Sequence, residues 1–207
     1  MENAGADGIE LNIAYLPMNI KRDSLEVEKI YYQIIEKIKG IVRIPVAVKI
    51  GPYFTSLALF ADELARRGAD ALVLFNRFYQ IDVDIEKMAI KSAHPFSRPE
   101  EISLPMRWIA LLSNEIQCDL AGSTGIHDGE GVVKILLAGA KAVQICSTLY
   151  ENGLEENEQI LDYLKTWMKE HNYESVEQFR GRVSRSQLEK PELWERLQYI
   201  KALVGIE

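Results

Sequence analysis

The sequence predicts an α/β fold of parallel βα units, of the (β/α) barrel type. Three observations carry the prediction. Short β-rich apolar runs alternate with helix-period segments at about 30-residue spacing, as strand–helix–strand crossovers require. Five such units can be read along the chain. One phrase recurs where helices end and strands begin: Ala4-Gly5-Ala6-Asp7-Gly8, Arg67-Gly68-Ala69-Asp70-Ala71 and Ala138-Gly139-Ala140-Lys141-Ala142. Ordinary αβ-loop chemistry accounts for most of that recurrence, and its regularity favours a barrel over other α/β folds.

Gly8 to Ile13 reads as the first strand. Ser24 to Lys39 follows as a helix, with Leu25, Ile30, Ile34, Ile35 and Ile38 on one face. Ser24 is its expected N-cap and Gly40 its stop. Pro45 to Ile50 is the second strand, and Ser56 to Arg67 the next helix. Ala71 to Phe75 is the third strand. Asn76 to Leu104, with Pro95 and Pro99, reads as a long irregular stretch. A helix from Met106 to Ser113, after Pro105, precedes the fourth strand, Asp119 to Ser123. Gly129 to Ala138 is helical, Ala142 to Cys146 is the fifth strand, and Leu154 to His171 is a long helix. Tyr173 to Arg182 and Ser184 to Ile206 read as short charged helices. The expected division is a barrel region over 1–172 and a helical extension over 173–207, packed on or beside it.

The chain has 207 residues, 47% of them hydrophobic and 27% charged, an ordinary globular composition. Its 24 basic and 31 acidic residues leave a net charge of −7, which disfavours general binding to nucleic acid or anionic membranes. The two cysteines, Cys118 and Cys146, make no disulfide framework or metal spacing, so a reduced, cytoplasmic setting is expected. No apolar run approaches the roughly 20 residues of a spanning helix. Met1 to Asp7 lacks the basic start and apolar stretch of a signal peptide.

Ligands of parallel α/β folds bind at the C-terminal ends of strands. Those ends carry Glu10, Asn12 and Tyr15; Lys49; Asn76 and Arg77; Ser123, Thr124 and Gly125; and Cys146, Ser147 and Thr148. Lys49 stands out in an apolar strand, where a cation needs a partner: a neighbouring carboxylate such as Glu10, or an anionic or electron-accepting ligand. Asn12 and Asn76 could open turns or read a flat polar ligand. The small residues of Gly122-Ser-Thr-Gly-Ile126 and Cys146-Ser-Thr148 let backbone N–H groups approach a phosphate. His94 and His127 read as loop histidines, Trp108 and Trp167 as packing residues, and Glu155, Glu156 and Glu158 as a solvated first turn.

Gly8-Ile-Glu-Leu-Asn-Ile13, Pro45-Val-Ala-Val-Lys49, Val73-Leu-Phe-Asn76, Gly122-Ser-Thr-Gly-Ile126 and Val143-Gln-Ile-Cys-Ser147 together resemble the dihydroorotate dehydrogenases. Leu72 to Gln80, Leu104-Pro-Met-Arg-Trp-Ile-Ala110 and Tyr173 to Gly181 resemble a divergent subgroup, the dihydroorotate dehydrogenase-like proteins. The resemblance implies an FMN-binding TIM (β/α)8 barrel, of which the five C-terminal units, strands 4 to 8, are present. It implies oxidation of dihydroorotate in pyrimidine synthesis, with hydride passing to the flavin. Lys49 would then stand near the flavin N1/O2 edge, and Asn12 and Asn76 would hold the pyrimidine. The backbones of Thr124, Gly125, Cys146 and Ser147, with Ser123 in the same loop, would cradle the FMN phosphate.

Two departures follow from the comparison. Tyr15 stands where the family carries its proton-abstracting Cys or Ser, and a phenol near pKa 10 is a poor base unless shifted. Arg77 replaces a usual Ser or Thr after Asn76. Both point to a substrate other than dihydroorotate. The first strand here matches the family's fourth, whereas a closed barrel takes eight units and typically about 250 residues. An N-terminally truncated copy is therefore expected, completed by a homodimer or by a partner that supplies strands or accepts electrons. Two other functions fit the residues: an inactive or non-catalytic subunit, and a phosphate-binding lyase or isomerase using Lys49 as a Schiff base.

Overall fold

The computed structural model describes residues 1–195. Its strands are β1 (Ile9–Asn12), β2 (Val46–Ile50), β3 (Ala71–Leu74), β4 (Ile81–Asp84), β5 (Ala89–Ser92), β6 (Asp119–Ser123) and β7 (Ala142–Gln144). The longer helices are α1 (Ser24–Lys39), α2 (Leu57–Arg66), α3 (Ser103–Leu112) and α4 (Gly129–Ala138), then the short α5 (Ser147–Asn152), α6 (Glu156–Glu170) and α7 (Glu192–Glu195). Five strands form one all-parallel sheet in the order β1-β2-β3-β6-β7. That is the α/β architecture the alternating pattern predicts.

Side-chain alternation divides the sheet into two faces. In β2, Val46, Val48 and Ile50 are fully buried and join Tyr31, Ile35, Phe60 and Leu64 of α1 and α2 in the core. Leu72 and Leu74 sit beside Val48 and Ile50 in register and extend this apolar side. Ile109 of α3 and Ile135 of α4 cover the rest. Gly122 of β6 lets α4 approach: a Cβ there would lie 2.5 Å from Ile135 Cγ2. The opposite face carries the other register set: Glu10 beside Ala47, Asn12 beside Lys49, Lys49 beside Val73, and Ser123 beside Gln144. The apolar positions thus pin the helices to one side and leave a polar, small-residue face on the other.

That second face is concave. Neighbouring strands lie about 4.8 Å apart, so the edge strands of a flat five-stranded sheet would be about 19 Å apart. Yet Gln144 of β7 hydrogen-bonds Glu10 of β1 at 2.5 Å. The sheet curls until its two edges face each other across the concavity, in an arc whose two edges pair with no further strand among the described residues.

Several expectations are corrected. The stretch read as irregular holds the β4–β5 hairpin, where Ile81, Val83 and Ile90 alternate with Asp82, Asp84 and Lys91. Its apolar side faces solvent, with Ile90 75% exposed. Helix α3 starts at Ser103 rather than after Pro105, because proline in a first turn removes an N–H that has no intrahelical partner. Asp23, not Ser24, caps α1, its Oδ1 accepting from Leu25 N at 2.6 Å. Gly40 follows α1 at φ −71°, in the ordinary right-handed region. The last sheet strand ends at Gln144, and α5 begins at Ser147, where no helix was anticipated. Tyr173 to Arg182 holds only a 3-10 turn at Val176–Gln178, and within the described part of the helix expected over Ser184 to Ile206, residues 184–195, only Glu192–Glu195 is helical. The final part of that expected helix, 196–207, lies outside the described residues. Phe179 and Ser184 are fully buried, and Gly181 N and Val183 N donate to Leu136 and Leu137 carbonyls at 3.0 Å, tying this segment to α4. Among the described residues, no helix is long and apolar enough to cross a membrane.

Candidate functional site

At the C-terminal ends of the strands the concave face opens into a cavity of about 740 Å³, within the roughly 300–1,000 Å³ range of small-molecule sites. Lys49, Asn76, Arg77, Ser123, Thr124, Gly125, Cys146 and Ser147 all line it. Eight residues singled out in the sequence therefore converge on one space. Asn12 joins them from β1, its Oδ1 accepting from Asn76 Nδ2 at 2.6 Å. Tyr15 does not line the cavity. Its hydroxyl accepts from Arg22 Nη1 at 2.5 Å, and its backbone N–H donates to Tyr31 Oη at 3.4 Å.

Lys49 Nζ donates to Gln144 Oε1 at 2.9 Å and lies 3.8 Å from Glu10 Oε1. Its side chain is 20% exposed, so the ammonium stays reachable from the cavity. Both readings of this lysine meet here: it has a carboxylate partner and it faces a ligand-sized space. Gln144 supplies the link that sequence reasoning missed. The available signal was one polar side chain between Val143 and Ile145.

Arg77 is committed locally. Its Nε donates to Glu101 Oε2 at 2.8 Å and its Nη1 to the His94 carbonyl at 2.8 Å. Partial burial pushes the Glu101 carboxyl up, but Arg77 and the Arg98 backbone N–H, at 2.8 Å, outweigh it and hold it below the usual range. The guanidinium thus fastens the 94–101 segment over the cavity rim.

Two loops face each other where β6 and β7 end. Thr124 at φ 81° and Gly125 at φ 76° are consecutive left-handed residues. Thr124 Oγ1 donates to the Phe75 carbonyl at 3.1 Å, holding the turn. Left-handed threonine is strained, and such strain concentrates at functional sites. Among the described residues, the backbone N–H groups of Thr124, Gly125 and Cys146 meet no acceptor. Their open donors make a concavity suited to an anion.

Behind these loops Ser97, Ser147 and His127 form a polar line. Ser147 Oγ accepts from Ser97 N at 2.9 Å, and Ser97 Oγ lies 3.1 Å from His127 Nε2. Sequence reasoning set His127 aside and did not single out Ser97, because no spacing connects positions drawn from two separate loops and the start of α5.

A second cleft, of about 720 Å³, lies at the opposite ends of the strands. Its charges are paired: Lys39 with Asp70 at 2.7 Å, Lys141 with Asp119 at 3.2 Å, and Arg180 with Glu177 outside the cleft at 3.0 Å. Burial, then Asp119, Asp70 and Asp62, push the Cys118 thiol there up to about 12, so it stays protonated and inert.

A family profile described as Dihydroorotate dehydrogenase matches residues 2–168. The chain is 29% identical over 187 residues to the catalytic subunit of dihydroorotate dehydrogenase B (NAD(+)) from Thermoplasma volcanium, covering 87% of this chain and 61% of that protein. It is 29% identical over 165 residues to the corresponding subunit of Saccharolobus solfataricus, covering 78% of this chain and 56% of that one. It is 27% identical over 184 residues to that of a Geobacter species, covering 86% and 59%. The chain spans about three-fifths of the length of the curated relatives it matches. With the profile covering most of its length, the chain belongs to the dihydroorotate dehydrogenase family.

Proposed function

We propose that this chain carries the cofactor and substrate face of an FMN-dependent oxidoreductase acting on a dihydropyrimidine-like substrate, as in pyrimidine synthesis. One observation carries the reading: Lys49 and two loops with open backbone N–H donors line the same cavity. These residues fit FMN, which presents a phosphate at one end and a flat polar ring system at the other. FMN, when bound, supplies the hydride acceptor. Thr124, Gly125, Cys146 and Ser147, with Ser123 beside them, would hold the phosphate through hydrogen-bond donors. Lys49, fixed by Gln144 and Glu10, would place positive charge against the pyrimidine edge of the ring, where charge develops. The Asn12–Asn76 amide pair would orient a planar substrate through its carbonyl and N–H groups. Arg77, held by Glu101, would keep the 94–101 segment in place as one wall.

The five sheet units would correspond to strands 4 to 8 of a TIM barrel, with the open edges β1 and β7 available for further strands. The named relatives are catalytic subunits of NAD(+) enzymes. By that likeness, a partner subunit would take electrons from this one; a second copy of the chain is the other candidate for closing the sheet edges.

A second reading has its own support. Tyr15, at the family's base position, is held by Arg22 outside the cavity. That placement favours either a substrate other than dihydroorotate or a subunit without turnover.

The visible absorption spectrum, recorded before and after FMN addition and gel filtration, tests the proposal. Retained flavin bands support it, and screening of dihydropyrimidines then separates an active enzyme from a silent flavin-binding subunit. A protein that stays colourless overturns it.

A further inference from the structure

Resting on the phosphate-cradle reading above, we propose that His127 decides, through Ser97, whether the Ser147 hydroxyl can donate to an anion in the cavity, so that its protonation tightens anion binding.

The geometry is a line of three side chains. His127 Nε2 lies 3.1 Å from Ser97 Oγ, which lies 3.0 Å from Ser147 Oγ. Ser147 Oγ also accepts from Ser97 N at 2.9 Å. Ser97 and Ser147 line the cavity, whereas His127 stands behind them with its side chain 11% exposed. Thr148, fully buried, donates to the His127 carbonyl at 2.8 Å and accepts from Asn152 Nδ2 at 3.0 Å, which fixes the loop against α5.

A hydroxyl has one proton to give and two lone pairs to fill. When Nε2 carries a proton, it donates to Ser97 Oγ. Ser97 O–H then donates to Ser147 Oγ. With Ser97 N as its second donor, Ser147 has both lone pairs filled, and its own proton is left for the cavity. An anionic oxygen is the acceptor that completes the chain.

The neutral imidazole reverses this polarity. Glu151 Oε2 lies 3.5 Å from His127 Nδ1, and a carboxylate there favours the proton on Nδ1. Nε2 then accepts from Ser97 O–H, and Ser97 Oγ accepts from Ser147 O–H. Donation from Ser147 to a ligand now breaks a bond inside the protein.

The charged and titratable groups around His127 come from three places. Tyr150 and Glu151 stand on α5, and Asp128 adjoins it in the chain, where it caps α4 through Gly131 N at 2.7 Å. The 94–101 segment brings His94 and Arg98, which bond each other at 2.8 Å, together with Glu100 and the Arg77-bound Glu101. Among the described residues, Glu151 is the one carboxylate within 4 Å of the imidazole.

FMN affinity, read by flavin fluorescence from about pH 5 to 8, tests the relay in the whole chain. His127→Gln and Ser97→Ala are the variants, and riboflavin is the phosphate-free probe. The phosphate's own second ionisation, near pH 6, is common to every variant and cancels in the comparison. Relative to His127→Gln, the wild-type protein loses about tenfold in FMN affinity as pH rises, from a charge-assisted hydrogen bond forgone. Riboflavin shows no such loss. Ser97→Ala keeps the imidazole and its charge but removes the difference. A profile shared by wild type and His127→Gln overturns the proposal, as does a wild-type profile in Ser97→Ala.

Should neither flavin bind, the cofactor reading fails, and NMR titration of His127 with and without inorganic phosphate decides the relay separately. The same titration serves if the variants do not fold. Phosphate raises the His127 midpoint if the relay is correct; an unmoved midpoint overturns it.

Discussion

Gln144 Nε2 donates to Glu10 Oε2 at 2.5 Å, although β7 and β1 are the two edges of the sheet. The same amide accepts from Lys49 Nζ at 2.9 Å. Gln144 therefore satisfies a carboxylate with its N–H and an ammonium with its C=O. Neither an acid nor a base could do both. Gln144→Leu removes one hydrogen-bond partner from each charge, leaving them only their 3.8 Å contact with each other, while keeping the side chain's bulk. Loss of about 1–3 kcal/mol is expected, the cost of stranded polar groups, at the low end because Glu10 remains partly solvated. Urea denaturation at neutral pH measures it.

Lys49 is the charge placed against the proposed flavin. Lys49→Met keeps the unbranched stem and removes the ammonium. The midpoint potential of bound FMN should fall, because extra negative charge on the ring loses its partner. A charge-assisted bond of about 1.5–3 kcal/mol corresponds to roughly 30–60 mV for a two-electron couple. Dye-equilibrated reductive titration reads this shift directly, and an unchanged potential would remove Lys49 from the flavin edge.

The sheet and its polar ends were legible in the sequence because both follow from local patterns. Lys49 interrupts an apolar strand, and Thr124-Gly125 and Cys146-Ser147 follow strand runs. The partners of those residues were not legible. Gln144 meets Glu10 across 134 positions only because the sheet curls, and no local pattern encodes that curvature. Ser97 reaches His127 and Ser147 across 30 and 50 positions, from loops whose paths depend on Arg77 and Glu101. Ile81-Asp-Val-Asp84 does alternate with period two, but four residues amid prolines and turns resemble a loop. Tyr15 was placed at the site by its position after the first strand and by family position, and the structure turns its hydroxyl to Arg22.

Glu101 accepts from Arg77 and from the Arg98 backbone N–H, and its carboxyl is held below the usual carboxylate range despite partial burial. The depressed value belongs to the folded state. Its stabilisation is therefore fully present above the unfolded carboxylate value of about 4.3 and is lost as pH falls through the lower folded value. Glu101→Gln should cost about 1–2 kcal/mol at pH 7. It should also flatten the decline of stability below about pH 4. Urea midpoints across an acid series show both effects; parallel curves for the two proteins would mean that Glu101 carries no linked proton.

Gly125 combines two demands that no other residue meets. Its φ is +76°, and a Cβ would lie 2.2 Å from Ile102 N and 2.7 Å from the Glu101 carbonyl carbon. Both contacts are backbone, so no side chain can swing aside. Ile102 cannot retreat freely, since Glu101 beside it is tied to Arg77 and to Arg98 N. Gly125→Ala therefore adds left-handed strain to a collision, and about 2–4 kcal/mol of destabilisation is expected. The displaced loop also carries the open N–H groups of Thr124 and Gly125, so anion affinity should fall with stability. Thermal unfolding with and without added FMN separates the two. An alanine variant as stable as the wild type would show that the 99–102 turn yields more easily than its bonds imply.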